Sequence, residues 1–183
     1  TSKSLSVLEP RVGVEYNINQ KQSLSAGIGL HSQTQPYYTY FYQTQNNVSD
    51  PYTMKNKGMD FSKSLHSVIG YNHALSPTMR IKTEAFYQEL FNIPVEVNSS
   101  AFSLANMGSG FDRFFPDSVK NAGTGTNIGI ELTVEKFFNK SFFFLITGSV
   151  YDAKYRGSDG VSRNTDFNGN YAGNILLGKE FKT

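Results

Sequence analysis

The 183-residue chain has no cysteine and no tryptophan, and it is poor in charge: 17 Lys and Arg, 15 Asp and Glu and 3 His, a charged fraction of 17%. The lack of cysteine excludes a disulfide scaffold, thiolate metal sites and a cysteine nucleophile. A net charge of only +2, with no cluster of more than two basic residues, excludes a nucleic-acid footprint. Long apolar runs are missing too. The longest uncharged one, Phe142–Tyr151, is about half the ~20 residues of a transmembrane helix. The chain opens at Thr1-Ser2-Lys3 with no initiator Met and no signal-peptide h-region, which suggests a mature form or a fragment. What is plentiful is Phe (15) and Tyr (11), at a hydrophobic fraction of only 38%. Few charges beside many aromatics is an unusual mixture for a soluble domain.

Period-two alternation dominates, and that is the signature of strands with one apolar and one polar face. Val12, Val14, Tyr16 and Ile18 alternate with Arg11, Gly13, Glu15 and Asn17; after a polar turn, Leu24, Ala26, Ile28 and Leu30 alternate with Ser23, Ser25, Gly27 and Gly29. Further strands are expected over Ser62–His73, Met79–Leu90, Asn127–Phe137, Phe142–Tyr155 and Tyr171–Phe181, seven in all. No window of eleven or more residues has a helical period, although Ala101–Met107 could form a short helix in a loop.

The connections fall into two kinds. Tight turns of about four residues join the first and second, third and fourth, and fifth and sixth strands. Long loops at 33–60, 92–123 and 156–170 fill the alternate connections, so all of them lie at one end of the sheet. Short turns at one end and long loops at the other characterise outer-membrane barrels, whose strands alternate apolar-out and polar-in. A charge on the lipid face of such a barrel costs about 2–4 kcal/mol at mid-depth. Arg11, Glu15, Arg80, Lys82, Glu84, Glu131 and Glu135 all take the other parity, and are therefore expected to face the lumen. Phe137, Phe138, Phe142 and Phe143 flank a short turn, where an interfacial aromatic girdle would lie. Bacterial barrels have even strand numbers and tolerate no open edge in lipid, so seven strands imply a piece of a larger barrel. The alternative is a soluble or surface-anchored β-sandwich that binds a ligand such as a glycan, since one wet face produces the same alternation.

Several segments resemble the barrel of TonB-dependent outer-membrane receptors, in the branch whose members carry an N-terminal carboxypeptidase-regulatory-like domain. They are Leu8-Glu9-Pro10-Arg11-Val12-Gly13, Leu30-His31-Ser32-Gln33-Thr34-Gln35-Pro36, Gly70-Tyr71-Asn72 with Ser76-Pro77, and Glu84-Ala85-Phe86-Tyr87-Gln88 with Asn92-Ile93-Pro94-Val95. Gly123-Thr124-Gly125-Thr126-Asn127 leading into Gly129-Ile130-Glu131-Leu132, then Tyr155-Arg156-Gly157-Ser158-Asp159-Gly160, Arg163-Asn164 and Phe167-Asn168-Gly169-Asn170-Tyr171, extend the likeness over nearly the whole chain. The resemblance implies an all-β fold: residues 1–183 form an antiparallel up-and-down sheet of about seven strands within a transmembrane barrel of about 22. It also implies an extracellular ligand to be imported, outer-membrane lipid around the wall, and an upstream plug driven by the TonB energy-coupling complex. Nothing in the chain matches the plug or the energy-coupling segment.

Candidate ligand-binding residues lie in the long loops, where exposed aromatics commonly bind. Tyr37, Tyr38, Tyr40 and Tyr42 belong to a run with five aromatics in six positions, and could form a stacking platform or simply pack within the loop layer. Phe111, Asp112 and Arg113 offer a second mixed cluster, with a self-packed loop core as the plainer reading. Asp166-Phe167-Asn168-Gly169-Asn170 starts like a calcium loop but lacks its Gly and closing Glu. Gly123-Thr124-Gly125 precedes a strand and not a helix, so it is no dinucleotide cradle, and its glycines are expected at a loop-to-strand entry. Glu131 and Glu135 stand about 13 Å apart along a strand, beyond the ~5–9.5 Å of paired glycosidase carboxylates. His31, His66 and His73 have no metal-ligand spacing, and no G-x-S-x-G elbow occurs. No catalytic residue, metal or cofactor is assigned, and an enzyme is not expected.

Overall fold

A computed structural model describes residues 8–45, 48–108 and 118–181. Its strands are β1 (Arg11–Asn19), β2 (Gln22–Gln33), β3 (Gln43–Thr44), β4 (Thr53–Met54), β5 (Ser62–Ser76), β6 (Met79–Glu96), β7 (Val119–Asn139), β8 (Phe142–Arg156), β9 (Ser162–Asn164) and β10 (Tyr171–Lys179). One helical turn, α1 (Tyr37–Tyr40), and a 3-10 turn (Leu104–Asn106) complete them. The main sheet is an antiparallel meander in the order β1-β2-β5-β6-β7-β8-β10, with β9 added beside the end of β8. The fold is all-β, and the seven expected strands are the seven of this path.

The turns at one end are tighter than the sequence suggested: two residues each at Gln20-Lys21, Pro77-Thr78 and Lys140-Ser141. Lys140 and Ser141 both have positive φ (51° and 62°), the geometry of a type I′ hairpin, whose twist matches that of the strands it joins. At the other end, β6 and β7 run further than expected. The alternation fades at Asn92 and Pro94, where the ladder shifts register twice, yet pairing resumes from Pro94↔Asn121 to Glu96↔Val119. Asn92 sits at φ 56° and absorbs the irregularity as a bulge. Gly123 and Gly125, expected at a loop-to-strand entry, therefore lie within β7.

Register lines up the faces. Val14, Ala26, Ile69, Ala85, Ile130, Val150 and Tyr171 are successive cross-strand partners, so one apolar row crosses all seven strands. A parallel row on the same face runs His73, Ile81, Val134, Ile146 and Ile175. The opposite face carries Glu15, Ser25, Gly70, Glu84, Glu131 and Ser149 as one row. Exposure is inverted relative to a water-soluble sheet. In β7 the apolar Ile128, Ile130 and Leu132 are exposed, while the polar Asn127 and Glu131 between them are half-buried.

No second layer covers either face among the described residues. A β-sandwich needs two packed sheets around a shared core, and the described residues form a single large sheet, with only the two-stranded β3–β4 ribbon besides. The buried apolar side chains among the described residues include Ile93, Pro94, Val95, Val119 and Tyr155, all at the long-loop end. The sandwich alternative is thereby corrected: period two was right for either fold, but it does not report whether a second sheet exists.

Candidate functional site

The long-loop end is where side chains converge. On the polar face, register places His31 opposite Ser64, Gln33 opposite Ser62, and His66 opposite both Gly29 and Gln88. All of these but Gly29 line a cleft of about 660 Å³ together with Gln35, Pro36 and Tyr38 from the first long loop, and with Leu104, Ala105, Met107 and Gly108 from the second. That volume lies in the ~300–1,000 Å³ range of ligand sites. Gly29 forms part of the adjoining surface: a Cβ there would come within 3.1 Å of Arg11 Cγ and 3.2 Å of His31 Nε2, so glycine lets both side chains lie flat across β2.

Hydrogen bonds fix the walls. Gln88 Nε2 donates to Ser64 Oγ (2.8 Å), and Gln35 Nε2 donates to Ser62 Oγ (2.9 Å) and to the Asp60 carbonyl (3.1 Å). Among the described residues the lining contains Lys63 and two imidazoles, and no carboxylate. Beside it, Glu9 accepts from the Ser32 hydroxyl (2.6 Å) and N–H (2.7 Å) and pairs with Arg11 (2.9 Å). These contacts, the Ser32 hydroxyl foremost, hold its carboxyl below the usual range.

The aromatic run begins with a helical turn. Pro36, with its fixed φ of −53°, starts α1, and its carbonyl accepts from Thr39 N–H (2.9 Å). The turn spreads the rings: Tyr37, Tyr38 and Phe41 are exposed, Tyr38 at the edge of the cleft, and the Tyr40 hydroxyl accepts from Gln35 N–H (3.2 Å). Tyr42 follows the turn and is half-buried. Tyr37, Tyr38, Tyr40 and Tyr42 therefore do not form one platform; only Tyr38 joins the cleft. Phe111, Asp112 and Arg113 lie outside the described residues.

The seven charged residues read as sharing one face do so by register. Arg80 Nη2 and Glu135 Oε2, directly cross-strand, meet at 2.7 Å, and Lys82 pairs with Glu84 at 2.7 Å. Glu131 stands directly across from Glu84, in the row that begins with Glu15. Of the phenylalanines near the third turn, Phe142 takes the apolar register, whereas the Phe143 ring covers Gly178 on the other face and contacts Phe138 at 6.4 Å. Arg80 lies 5.3 Å over the Phe137 ring on that same polar side.

The loops above the cleft are latched to the sheet and to one another. Asn56, fully buried, accepts from Val119 N–H (3.0 Å), and Asn121 bridges the Asp60 and Asn92 carbonyls. Ser158 Oγ receives the Ser100 N–H (2.9 Å) and donates to the Asn98 carbonyl (2.6 Å), while Asn106 and Asp166 exchange two bonds. Gly157 packs so closely on the Ser100 carbonyl that no side chain fits. Asp159 and Arg163 form a bidentate pair (3.0 and 2.7 Å), which holds the Asp159 carboxyl below its ordinary range and raises Arg163. His31, His66, Gln35 and Gln88 were not singled out as a group by sequence reasoning. The polar parity of His31, His66 and Gln88 was visible, but the register that brings them together was not.

No protein-family model matches the chain, and no curated protein matches it. Among solved structures, the chain is similar to the FrpB iron transporter from Neisseria meningitidis (F3-3 variant), at 15% identity and a TM-score of 0.54. The match covers 84% of this chain and 21% of the transporter, so the chain spans about a fifth of that protein's length. At this identity the likeness is one of fold, and it is to a β-barrel transporter.

Proposed function

We propose that the chain is a stretch of wall and mouth of a TonB-dependent outer-membrane receptor, which captures an extracellular ligand and carries it across the membrane. The observation that supports this most is the inverted exposure of the sheet, apolar rows outward and charges on the sheltered face. The height agrees. On β7 the outward positions between Thr126 and Lys136 are Ile128, Ile130, Leu132 and Val134. That interval is about 33 Å along the strand, or roughly 25 Å high at a tilt of ~40°, the thickness of the apolar band of such barrels.

The meander ends at β1 and β10 without closing, and an open edge in lipid leaves backbone groups unpaired. The remaining strands of a barrel of about 22, and the plug within it, are the partners this requires; energy coupling through TonB is assigned to that upstream part. Arg11, Glu15, Arg80, Lys82, Glu84, Glu131 and Glu135 then face the lumen. The cleft below α1, with Tyr38 at its edge, is the ligand-facing surface this segment contributes. The role is transport, with no catalytic step.

Fractionating cells that express the complete gene tests the reading. The protein is expected in outer membranes, with the heat-modifiable electrophoretic mobility of a barrel. Recovery in the soluble fraction without detergent would overturn it. Within the intact receptor, Tyr38→Ala is expected to weaken uptake more than Tyr37→Ala, because only Tyr38 lines the cleft.

A further inference from the structure

The outward face is not electrically symmetric. At its long-loop end it carries Asp152 and Glu89 together with Lys63, Lys154 and Arg156, with Asp152 and Lys154 paired at 2.7 Å, so both signs mix there. At its short-turn end the register places Lys136 beside Phe144, and Lys179 beside Phe142. No Asp or Glu takes an outward position at that end among the described residues: the nearby Glu135 and Glu180 have the opposite parity, and Glu135 is occupied by Arg80.

The two lysines flank the first residues of β8 from its two neighbouring strands, roughly 12 Å apart between Cα atoms. Both are held against aromatic rings. Lys136 Nζ lies 5.4 Å over the Phe142 ring and donates to the Asn139 and Phe142 carbonyls (3.3 Å each), and Lys179 Nζ lies 5.0 Å over Phe181. Phe142 and Phe144 form a tilted ring pair at 6.0 Å between them. Lys140, exposed in the turn, adds a third positive charge.

Resting on the outward face being the lipid-facing one, we infer that this end binds the phosphate headgroups of anionic phospholipids through Lys136 and Lys179. Each lysine stem runs along apolar surface while its ammonium stays at headgroup level, and the rings occupy the interface where aromatic side chains settle. A basic residue near an anionic leaflet gains attraction that a zwitterionic surface does not supply. The opposite rim mixes carboxylates with its basic residues, so an anionic headgroup meets both signs there. The assignment also orients the wall, since phospholipid headgroups would then lie at the short-turn end.

The full-length protein, purified in nanodiscs of phosphatidylethanolamine with a minority of phosphatidylglycerol and then mildly delipidated, gives the test by mass spectrometry of retained lipid. Phosphatidylglycerol is expected to be enriched about fivefold over the bulk mixture. K136Q/K179Q is expected to return it to the bulk ratio, and K154Q, at the other rim, to leave it enriched. Equal enrichment in the wild type and the double variant would overturn the inference, as would a loss in K154Q matching that in the double variant. A full-length protein that stays in solution without detergent and retains no lipid would instead remove the barrel reading on which the inference rests.

Discussion

The middle of the sheet and its long-loop end are built on opposite terms. In the middle, apolar side chains alternate strictly, line up in rows across seven strands and remain uncovered by the chain itself. At the loop end the alternation is lost, yet there the buried residues collect: Val95, Val119, Ile93 and Tyr155, with the polar Asn56, Thr39, Ser103 and Gln35. The middle leaves its apolar side chains exposed, whereas the rim buries its own. On the barrel reading, the regular pattern marks the part that meets lipid, and the irregular one the part that folds on itself.

The largest expected effect separates the two faces within two neighbouring residues. Ile130→Arg, at the centre of the outward row, should cost about 2–4 kcal/mol of folding free energy in a bilayer. Glu131→Gln beside it should stay within about 0.5 kcal/mol. Denaturant titration of the full-length protein refolded into vesicles reads both, and equal costs would dissolve the distinction between the faces.

A smaller effect tests the rim. Gly157→Val forces a side chain into the Ser100 carbonyl and should cost about 1–3 kcal/mol by overpacking. It is expected to expose residues 97–108 and 157–170 to limited proteolysis while leaving β7 protected. Unchanged cleavage would show that the latch does not hold these loops.

The smallest effect is electrostatic. The Asp159 carboxyl is depressed in the folded loop, chiefly by the bonds from Arg163. A depressed acid contributes above its unfolded pKa, and that contribution is lost as pH falls through the folded one. Loop protection should thus be flat from neutral pH down to about pH 4 and fall below it. In Asp159→Asn the same acid-dependent step should vanish. A step of the same size in the variant would assign the titration to another group.

Most of the sheet was legible because period two needs no partner to be seen. Face membership of Ile130 or Glu131 follows from the residues on either side. Register does not: that Val14, Ala26 and Ile69 align, or that His31, Ser64, His66 and Gln88 meet around one cleft, depends on turn geometry and on bulges such as the one at Asn92. The continuation of β6 past Pro94 was hidden for a similar reason, because proline withdraws a ladder donor and the bulge resets the parity. In the aromatic run, one helical turn is too short to leave a period, so its tyrosines looked like one surface when the turn points only Tyr38 into the cleft. The phenylalanines beside the third turn were read as a single girdle. Alternation along β8 divides Phe142 and Phe143 between the two faces, while Phe137 and Phe138 both meet polar-side partners.

The account turns on what touches the outward face. Because the chain has no cysteine, single-cysteine substitutions can be placed one by one from Asn127 to Glu135 and spin-labelled in the full-length protein in bilayers. The predicted result is a strict alternation: Ile128, Ile130, Leu132 and Val134 positions accessible to lipid-soluble oxygen and closed to a water-soluble relaxant, their odd-numbered neighbours the reverse. Access of the water-soluble relaxant to both parities, or of neither probe to the even positions, would contradict it.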